Sequence, residues 1–221
     1  MNLTLARSNM IEQQVRPWDV LDQRVLDVLA EVPREAFVEP ERRGLAYSDF
    51  PLPIGHGQRM LKPVVDGRLL QALSPRVDER VLEIGTGSGY LTACLARLGA
   101  HCESLEIVPE LAASAAARLA ELGVANARVR EQDAAAEWDM EARYDAIAFG
   151  GSLPEIPPRY RERLAVGGRL FAILGRADRP TMTAVLLTRV REDGWTTEQL
   201  FETRVEPLVN FAVADAPSFV F

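Results

Sequence analysis

From Arg80 onward the apolar and polar positions fall into blocks that alternate between two periods. Val81, Leu82 and Ile84 form an apolar burst broken only by Glu83, the pattern of a strand buried on both faces. Tyr90 to Leu98 then follows a helical repeat. The next apolar strand is Cys102 to Ile107, and Pro109 opens an Ala-rich helix that Gly123 can end. Further strands are predicted at Ala127 to Glu131, Tyr144 to Phe149 and Arg169 to Leu174, with a helix from Pro157-Pro158 to Leu164. Thr183 to Val190 and Thr197 to Thr203 alternate apolar and polar residues around Asp193-Gly194, the mark of an antiparallel pair.

Upstream, residues 9–45 carry helical patterns. One helix is expected over Asn9 to Val15, stopping at Pro17. A second, Asp22 to Glu31, gathers Val25, Leu26, Val28 and Leu29 on one side, with Asp22 as its N-cap. Pro33 to Val38 reads as a short helical turn, and Phe50 to Pro63, rich in Pro and Gly, as an ordered loop. Pro63 suits the first turn of a helix reaching Leu73. Alternating strand and helix argue a mostly parallel sheet with right-handed crossovers. The expected organisation is one structural domain, with residues 1–75 as a helical and substrate-loop region and 76–221 as a cofactor-binding core with antiparallel C-terminal strands.

Composition narrows the function classes. With 221 residues, 48% hydrophobic and 26% charged, the chain has the make-up of a soluble globular domain. A net charge of −7 lacks the basic footprint of a nucleic-acid binder. No apolar run is long enough to span a bilayer, and Met1 to Arg7 lacks the form of a secretory signal. Cys94 and Cys102 fall at core positions, which fits buried thiols in a reducing compartment and a cytoplasmic setting. The histidines are His56 and His101 alone, and no metal-ligand cluster emerges.

The candidate chemistry sits at Val81 to Tyr90, VLEIGTGSGY. Glycines at 85, 87 and 89 join a buried strand to a helix N-terminus, an arrangement that receives nucleotides and nucleosides. The dinucleotide fingerprint is G-x-G-x-x-G/A, but its sixth position here is Tyr90. The spacing instead resembles the E/D-x-G-x-G-x-G turn of class I S-adenosylmethionine (SAM) methyltransferases. That likeness implies an α/β, Rossmann-like class I methyltransferase fold. Its mostly parallel seven-stranded sheet would carry helices on both faces and an N-terminal helical extension. SAM brings a sulfonium and an amino group rather than a pyrophosphate, so Glu83 beside the turn is compatible with it. Glu106 closes the second strand about 20 residues on, where an acid takes ribose hydroxyls. Asp133, after the third strand, is placed to accept from an adenine amino group. The expected cofactor set is Glu83, Gly85, Thr86, Gly87, Gly89, Glu106, Ile107, Asp133 and Ala134, with SAM as cofactor and S-adenosyl-L-homocysteine (SAH) as product.

Over roughly residues 10–175 the chain also resembles the protein-L-isoaspartate O-methyltransferases. The likeness rests on Met10 to Val15 (MIEQQV), Val32 to Val38 (VPREAFV), Ala46-Tyr47, Pro51 to Gly55 (PLPIG), Gly57-Gln58, Pro154 to Pro157 (PEIP) and Gly167 to Leu170 (GGRL), besides the glycine turn. It implies methylation of the free carboxyl of an isoaspartyl residue, the first step in repair of damaged protein. The partner would be a protein or peptide bearing that carboxylate, or a small acid, with no nucleic acid and no membrane. One segment departs. After Gly57-Gln58 the family has Thr-Ile-Ser; here Arg59 stands at the Thr position and Leu61 at the Ser position, followed by Lys62 and Pro63. The tail, Thr203 to Leu208, resembles the family's Val-Arg-Phe-Val-Pro-Leu.

A carboxylate nucleophile is ionised near neutral pH and requires no general base. No catalytic residue is therefore singled out, and the candidate substrate loop is Gln58, Arg59, Leu61 and Lys62. Arg59 is open to two readings, a clamp on an acidic substrate or a surface charge paired with a nearby acid. Leu61 reads as packing. His56 is either a proton shuttle or a loop histidine. Trp18, Trp138, Phe211, Phe219 and Phe221 are expected to dock on the core. Three alternatives stay open: a SAM-binding paralogue acting on another acid or small molecule, a non-catalytic module that uses SAM as a ligand, and an NAD-dependent reductase.

Overall fold

A seven-stranded sheet forms the centre of the computed structural model, which describes residues 2–99, 101–137, 142–176 and 178–211. Trp138, Phe219 and Phe221 lie outside the described residues. A small hairpin, β1 (Pro53–Gly55) and β2 (Gln58–Arg59), stands apart from the sheet. The sheet strands are β3 (Arg80–Ile84), β4 (His101–Glu106), β5 (Ala127–Glu131), β6 (Tyr144–Leu153), β7 (Leu164–Leu174), β8 (Met182–Arg191) and β9 (Gly194–Thr203). Their order is β5-β4-β3-β6-β7-β8-β9. The first five pair in parallel, and β8 and β9 add antiparallel. The chain steps outward from β3 through β4 to β5, then returns to β6 on the other side of β3. That reversal opens a crevice at the C-terminal ends of these strands.

Burial on both faces follows the period of two. On β3, β6 and β7, Val81, Ala146, Ala148, Phe171 and Ile173 enter one core, while Leu82, Ile84, Ile147, Phe149, Leu170 and Ala172 enter the other. The first core also takes α2 (Gln23–Glu31), α3 (Pro63–Leu73) and α4 (Tyr90–Arg97). The second packs under α6 (Pro158–Glu162), whose Tyr160 is fully buried. α5 (Pro109–Glu121) lies along β4 and β5. The N-terminal helices thus share one core with the sheet. Gly67 makes this possible, because a Cβ there would stand 2.9 Å from Val15 Cγ1. Among the described residues no helix is long and apolar enough to cross a membrane.

Several boundaries differ from the sequence pattern. The N-terminal helix, α1, begins at Leu3 and runs to Met10, and Ile11–Val15 continues it as a π-helical turn. Asn2 caps it by accepting from Leu5 N. The pattern hid this start because Leu5 is exposed. Asp22 caps α2 as expected, accepting from Arg24 N at 2.9 Å. The Phe50 to Pro63 loop contains the β1–β2 hairpin, whose two turn residues, His56 and Gly57, both have positive φ (52° and 73°). That is a tight primed turn built on His-Gly rather than Asn-Gly, which is why it escaped notice. Strand β6 does not stop before Gly150-Gly151 but runs on to Leu153, with a bulge between Ala148 and Ser152. A Cβ on Gly150 would lie 2.7 Å from Gly85 O, so the strand can pass the turn after β3 only with glycine there.

Beyond β9 the chain doubles back over the crevice. Ser152 N donates to Glu206 O at 2.9 Å, and Leu208 N donates to Ser152 O at 2.8 Å. These bonds fix residues 204–211 as a strap across the end of β6.

Candidate functional site

Between the strap, the hairpin and the strand ends lies a cavity of about 270 Å³. Ile84, Gly85 and Gly87 form its floor, Glu106, Ile107, Asp133 and Ala134 one wall, and Gln58 to Lys62 another. Leu208 and Phe211 close it from the strap side. The turn is tightly held. A Cβ on Gly85, whose φ is +89°, would meet Leu208 Cδ2 at 2.6 Å.

Glu106 ends β4 with its carboxylate turned to the cavity. Its Oε2 accepts from Gly87 N at 2.7 Å and its Oε1 from Val108 N at 3.0 Å. Two backbone donors thus hold the side chain, and each oxygen keeps a further lone pair. Asp133 is also tied down: Oδ1 accepts from Ala135 N at 2.9 Å and Oδ2 from Asn210 Nδ2 at 2.8 Å. The Ala134 carbonyl accepts from Tyr160 Oη at 2.6 Å. Phe211 meets Phe149 edge-on, with ring centroids 5.9 Å apart, and so docks on the core as expected.

Three residues of the expected cofactor set stand off this cavity. Gly89 caps α4 and touches α5 instead; a Cβ there would come 3.1 Å from Ala115 Cβ. Its smallness serves helix packing. Glu83 and Thr86 sit behind the turn, on a smaller cavity of about 30 Å³ that also meets Gly85 and Gly87. Thr86 Oγ1 and Ser104 Oγ share a hydrogen bond of 2.5 Å. Glu83 is fully buried; its Oε2 accepts from Thr92 Oγ1 at 2.5 Å and Ser104 Oγ at 2.6 Å, and its Oε1 has no partner among the described residues. Burial pushes its carboxyl up to about 8, although the Ser104 and Thr92 hydroxyls pull the other way. Glu83 is therefore largely a neutral acid at pH 7, unlike the charged neighbour expected from the sequence.

This has a measurable sign. A carboxyl raised from its usual 4.5 to about 8 binds a proton in the folded chain that the unfolded chain has released. Its contribution to stability is complete below pH 4.5, declines as pH rises, and is gone above about 8. Glu83→Gln should therefore gain stability relative to the parent between pH 5 and 8, read as the difference in urea midpoints. A difference that stays flat across that window would contradict the buried acid.

The hairpin and the start of α3 carry the expected substrate loop. Gln58, Arg59, Leu61 and Lys62 all line the cavity. Arg59 is half exposed, and its Nε lies 3.4 Å from Glu206 Oε1. The pairing read as one alternative from sequence is thus present. Leu61 is buried, as packing requires. His56 sits exposed at the hairpin tip and does not line the cavity, so the proton-shuttle reading finds no support. Trp18 packs edge-on against Phe201, at 6.3 Å between ring centroids.

Sequence reasoning missed a support beneath this loop. Arg34 is fully buried and donates to Asp66 Oδ2 at 2.5 Å, to Ala46 O at 2.8 Å and to Leu61 O. Its guanidinium also rides over the Tyr90 ring, 4.6 Å from the centroid. Burial would push the Arg34 pKa down; the Asp66 carboxylate, together with Tyr90 and Cys94, more than offsets this and leaves it raised. An arginine among apolar helix positions was the available signal. Of the strap residues, Glu206 and Leu208 lie in the tail segment that resembles the family's, whereas Asn210 carries no such mark.

Comparison with known proteins agrees with this geometry. The family model described as Protein-L-isoaspartate(D-aspartate) O-methyltransferase (PCMT) matches residues 6–210. A Rhodopseudomonas palustris (strain HaA2) protein named Protein-L-isoaspartate O-methyltransferase 1 is 42% identical over 203 residues, covering 92% of this chain and 82% of its own. A Protein-L-isoaspartate O-methyltransferase of Anaeromyxobacter dehalogenans (strain 2CP-C) is 43% identical over 196 residues, covering 88% and 93%. A Plasmodium falciparum chain assigned as a protein-L-isoaspartate O-methyltransferase, crystallised with SAH, superimposes with a TM-score of 0.77 at 21% identity, covering 95% of this chain and 99% of its own. That last likeness speaks for the fold, the Rossmann-like methyltransferase architecture expected from the sequence. The match over nearly the whole chain settles the family: this protein belongs to the protein-L-isoaspartate(D-aspartate) O-methyltransferases, a family of SAM-dependent O-methyltransferases.

Proposed function

We propose that the chain transfers a methyl group from SAM to the free carboxylate of an isoaspartyl residue in a protein or peptide. The observation that carries this is Glu106, held by Gly87 N and Val108 N with its remaining lone pairs toward the cavity. A carboxylate so fixed is suited to two neighbouring hydroxyls, the signature of a ribose. Gly85 and Gly87 would lie under the cofactor, and Ile107 and Ala134 would offer an apolar shelf for its adenine. Asp133, already bonded to Asn210, keeps a lone pair for the adenine amino group. These residues fit SAM by donor type and shape. Held there, SAM would supply an electrophilic methyl to a carboxylate oxygen, the carbon–sulfur bonding pair returning to sulfur so that a methyl ester and SAH would be left.

The chain's own part is to align the acceptor and exclude water. On this reading residues 1–75 supply the acceptor wall through the hairpin, and residues 76–221 supply the cofactor wall. The free, buried Cys94 and Cys102 suit a reducing compartment, and we place the activity in the cytoplasm on that ground.

The test is labelled methyl transfer to an isoaspartyl peptide beside its ordinary aspartyl twin. Base-labile label is expected in the isoaspartyl peptide alone. SAH binding by calorimetry with no transfer to either peptide would refute the isoaspartyl substrate and leave a binding module or another acceptor. Binding of NAD in place of SAH would refute the cofactor.

A further inference from the structure

We propose that Arg59 and Lys62 form a dicationic acceptor subsite selecting an isoaspartyl residue that stands next to an acidic residue, with Glu206 holding Arg59 until that second carboxylate arrives. The proposal rests on the isoaspartyl reading above and adds a specificity to it.

The cavity is polarised along the sheet edge. Glu106 and Asp133 stand on the side of β4 and β5, whereas Arg59 and Lys62 reach in from the hairpin and the start of α3, over β3 and β6. A cofactor wall of acids therefore faces an acceptor wall that carries Arg59 and Lys62, with Glu206 beside Arg59; Arg204, which also lines the cavity, is already engaged by a partner. Lys62 lines the cavity with no carboxylate oxygen within 4.0 Å of its ammonium among the described residues. Arg59 has one, Glu206, whose side chain is 50% exposed, against 44% for Arg59. An ion pair so open to water holds weakly. Glu206 can also swing away at little expense to the strap, because its backbone carbonyl stays bonded to Ser152 N. The glutamate thus marks the place on Arg59 where a carboxylate of the acceptor would sit.

The reaction explains why that carboxylate should be the second one. The attacked group must keep a lone pair free for the methyl carbon, and a bidentate guanidinium clamp would draw that density away. A single cation suffices to orient it. An isoaspartyl residue has one free carboxylate, so a pair of cations is matched only when a neighbouring acid brings another.

The experiment uses two isoaspartyl peptides that differ only in Glu or Gln beside the isoaspartyl residue. Each is titrated calorimetrically into SAH-saturated protein and assayed for methyl transfer. The Glu peptide should bind about tenfold more tightly, as one charged hydrogen-bonded contact would give. Arg59→Gln should erase the preference, and Glu206→Gln should strengthen Glu-peptide binding severalfold by removing the competing acid. Arg59 is exposed, so its variant should melt as the parent does. Equal binding and transfer for both peptides, or a preference that survives Arg59→Gln, would overturn the subsite and leave the isoaspartyl reading intact. Failure of both peptides, with SAH still bound, would overturn the isoaspartyl reading; succinate against its monomethyl ester then decides the subsite, and equal binding of those two rejects it.

Discussion

Glu106→Gln is expected to weaken SAH binding by about 100-fold or more, the loss of two charge-assisted hydrogen bonds at about 1.5–3 kcal/mol each. The parent carboxylate is doubly committed. It accepts from Gly87 N and Val108 N, and both oxygens must still face the cavity to take ribose hydroxyls. A glutamine keeps the shape but has one accepting atom. Whichever way its amide turns, its NH₂ group faces either Gly87 N–H or Val108 N–H, and a backbone donor loses its partner. The damage thus reaches the glycine turn as well as the ligand. Calorimetry with SAH reads the first effect, and the thermal midpoint without ligand reads the second. A dissociation constant within threefold of the parent would remove Glu106 from the cofactor site. Glu106→Asp is a useful companion, because it keeps the charge and shortens the reach by one methylene.

The parts legible in the sequence were those that repeat a local rule. Val81 to Ile84 carries its burial in its apolar run, and Glu106 its place in the strand-end position after the turn. Pro63 and Asp22 announced helix starts by backbone chemistry alone. What stayed hidden depends on contacts distant in sequence. Leu208 over Gly85 joins residues more than a hundred positions apart, and no local period encodes such a meeting. The Gly150-Gly151 pair looked like a strand end; only the neighbouring turn after β3 explains why a strand needs glycine there. Glu83 differs from the sequence expectation in charge and in place, since it stands behind the turn and not on the main cavity. Alternation on β3 puts it on the same face as Val81, beneath α3 and α4, and burial on that face neutralises it. Gly89 belongs to the same motif as Gly85, yet it answers to Ala115 of α5, so three glycines in one motif serve more than one purpose.

Asp66→Asn should be the most destabilising single change near the site, by about 3–5 kcal/mol, because it leaves the Arg34 guanidinium buried without a countercharge. For a chain of this size that corresponds to a fall in Tm of about 10 °C. Arg34 has no path to water: it is 0% exposed, with Asp66 at 2%. Its remaining partners are the carbonyls of Ala46 and Leu61, which carry only partial charge. The pair also reaches the cavity, since Leu61 O belongs to the segment that carries Arg59 and Lys62. Asp66→Asn should therefore also lower peptide affinity, with the SAH dissociation constant less affected because Glu106 is anchored elsewhere. Replacing both partners, Arg34→Met with Asp66→Leu, removes the lone charge and should recover much of the stability. It cannot restore the bond to Leu61 O, so peptide affinity should stay low in the double variant. Urea titration separates the two effects: stability should fall in the single variant and return in the double, while peptide binding falls in both. A single variant within 1 kcal/mol of the parent would mean that Arg34 is neutralised by another route, and the pair would lose its standing as the support of the acceptor wall.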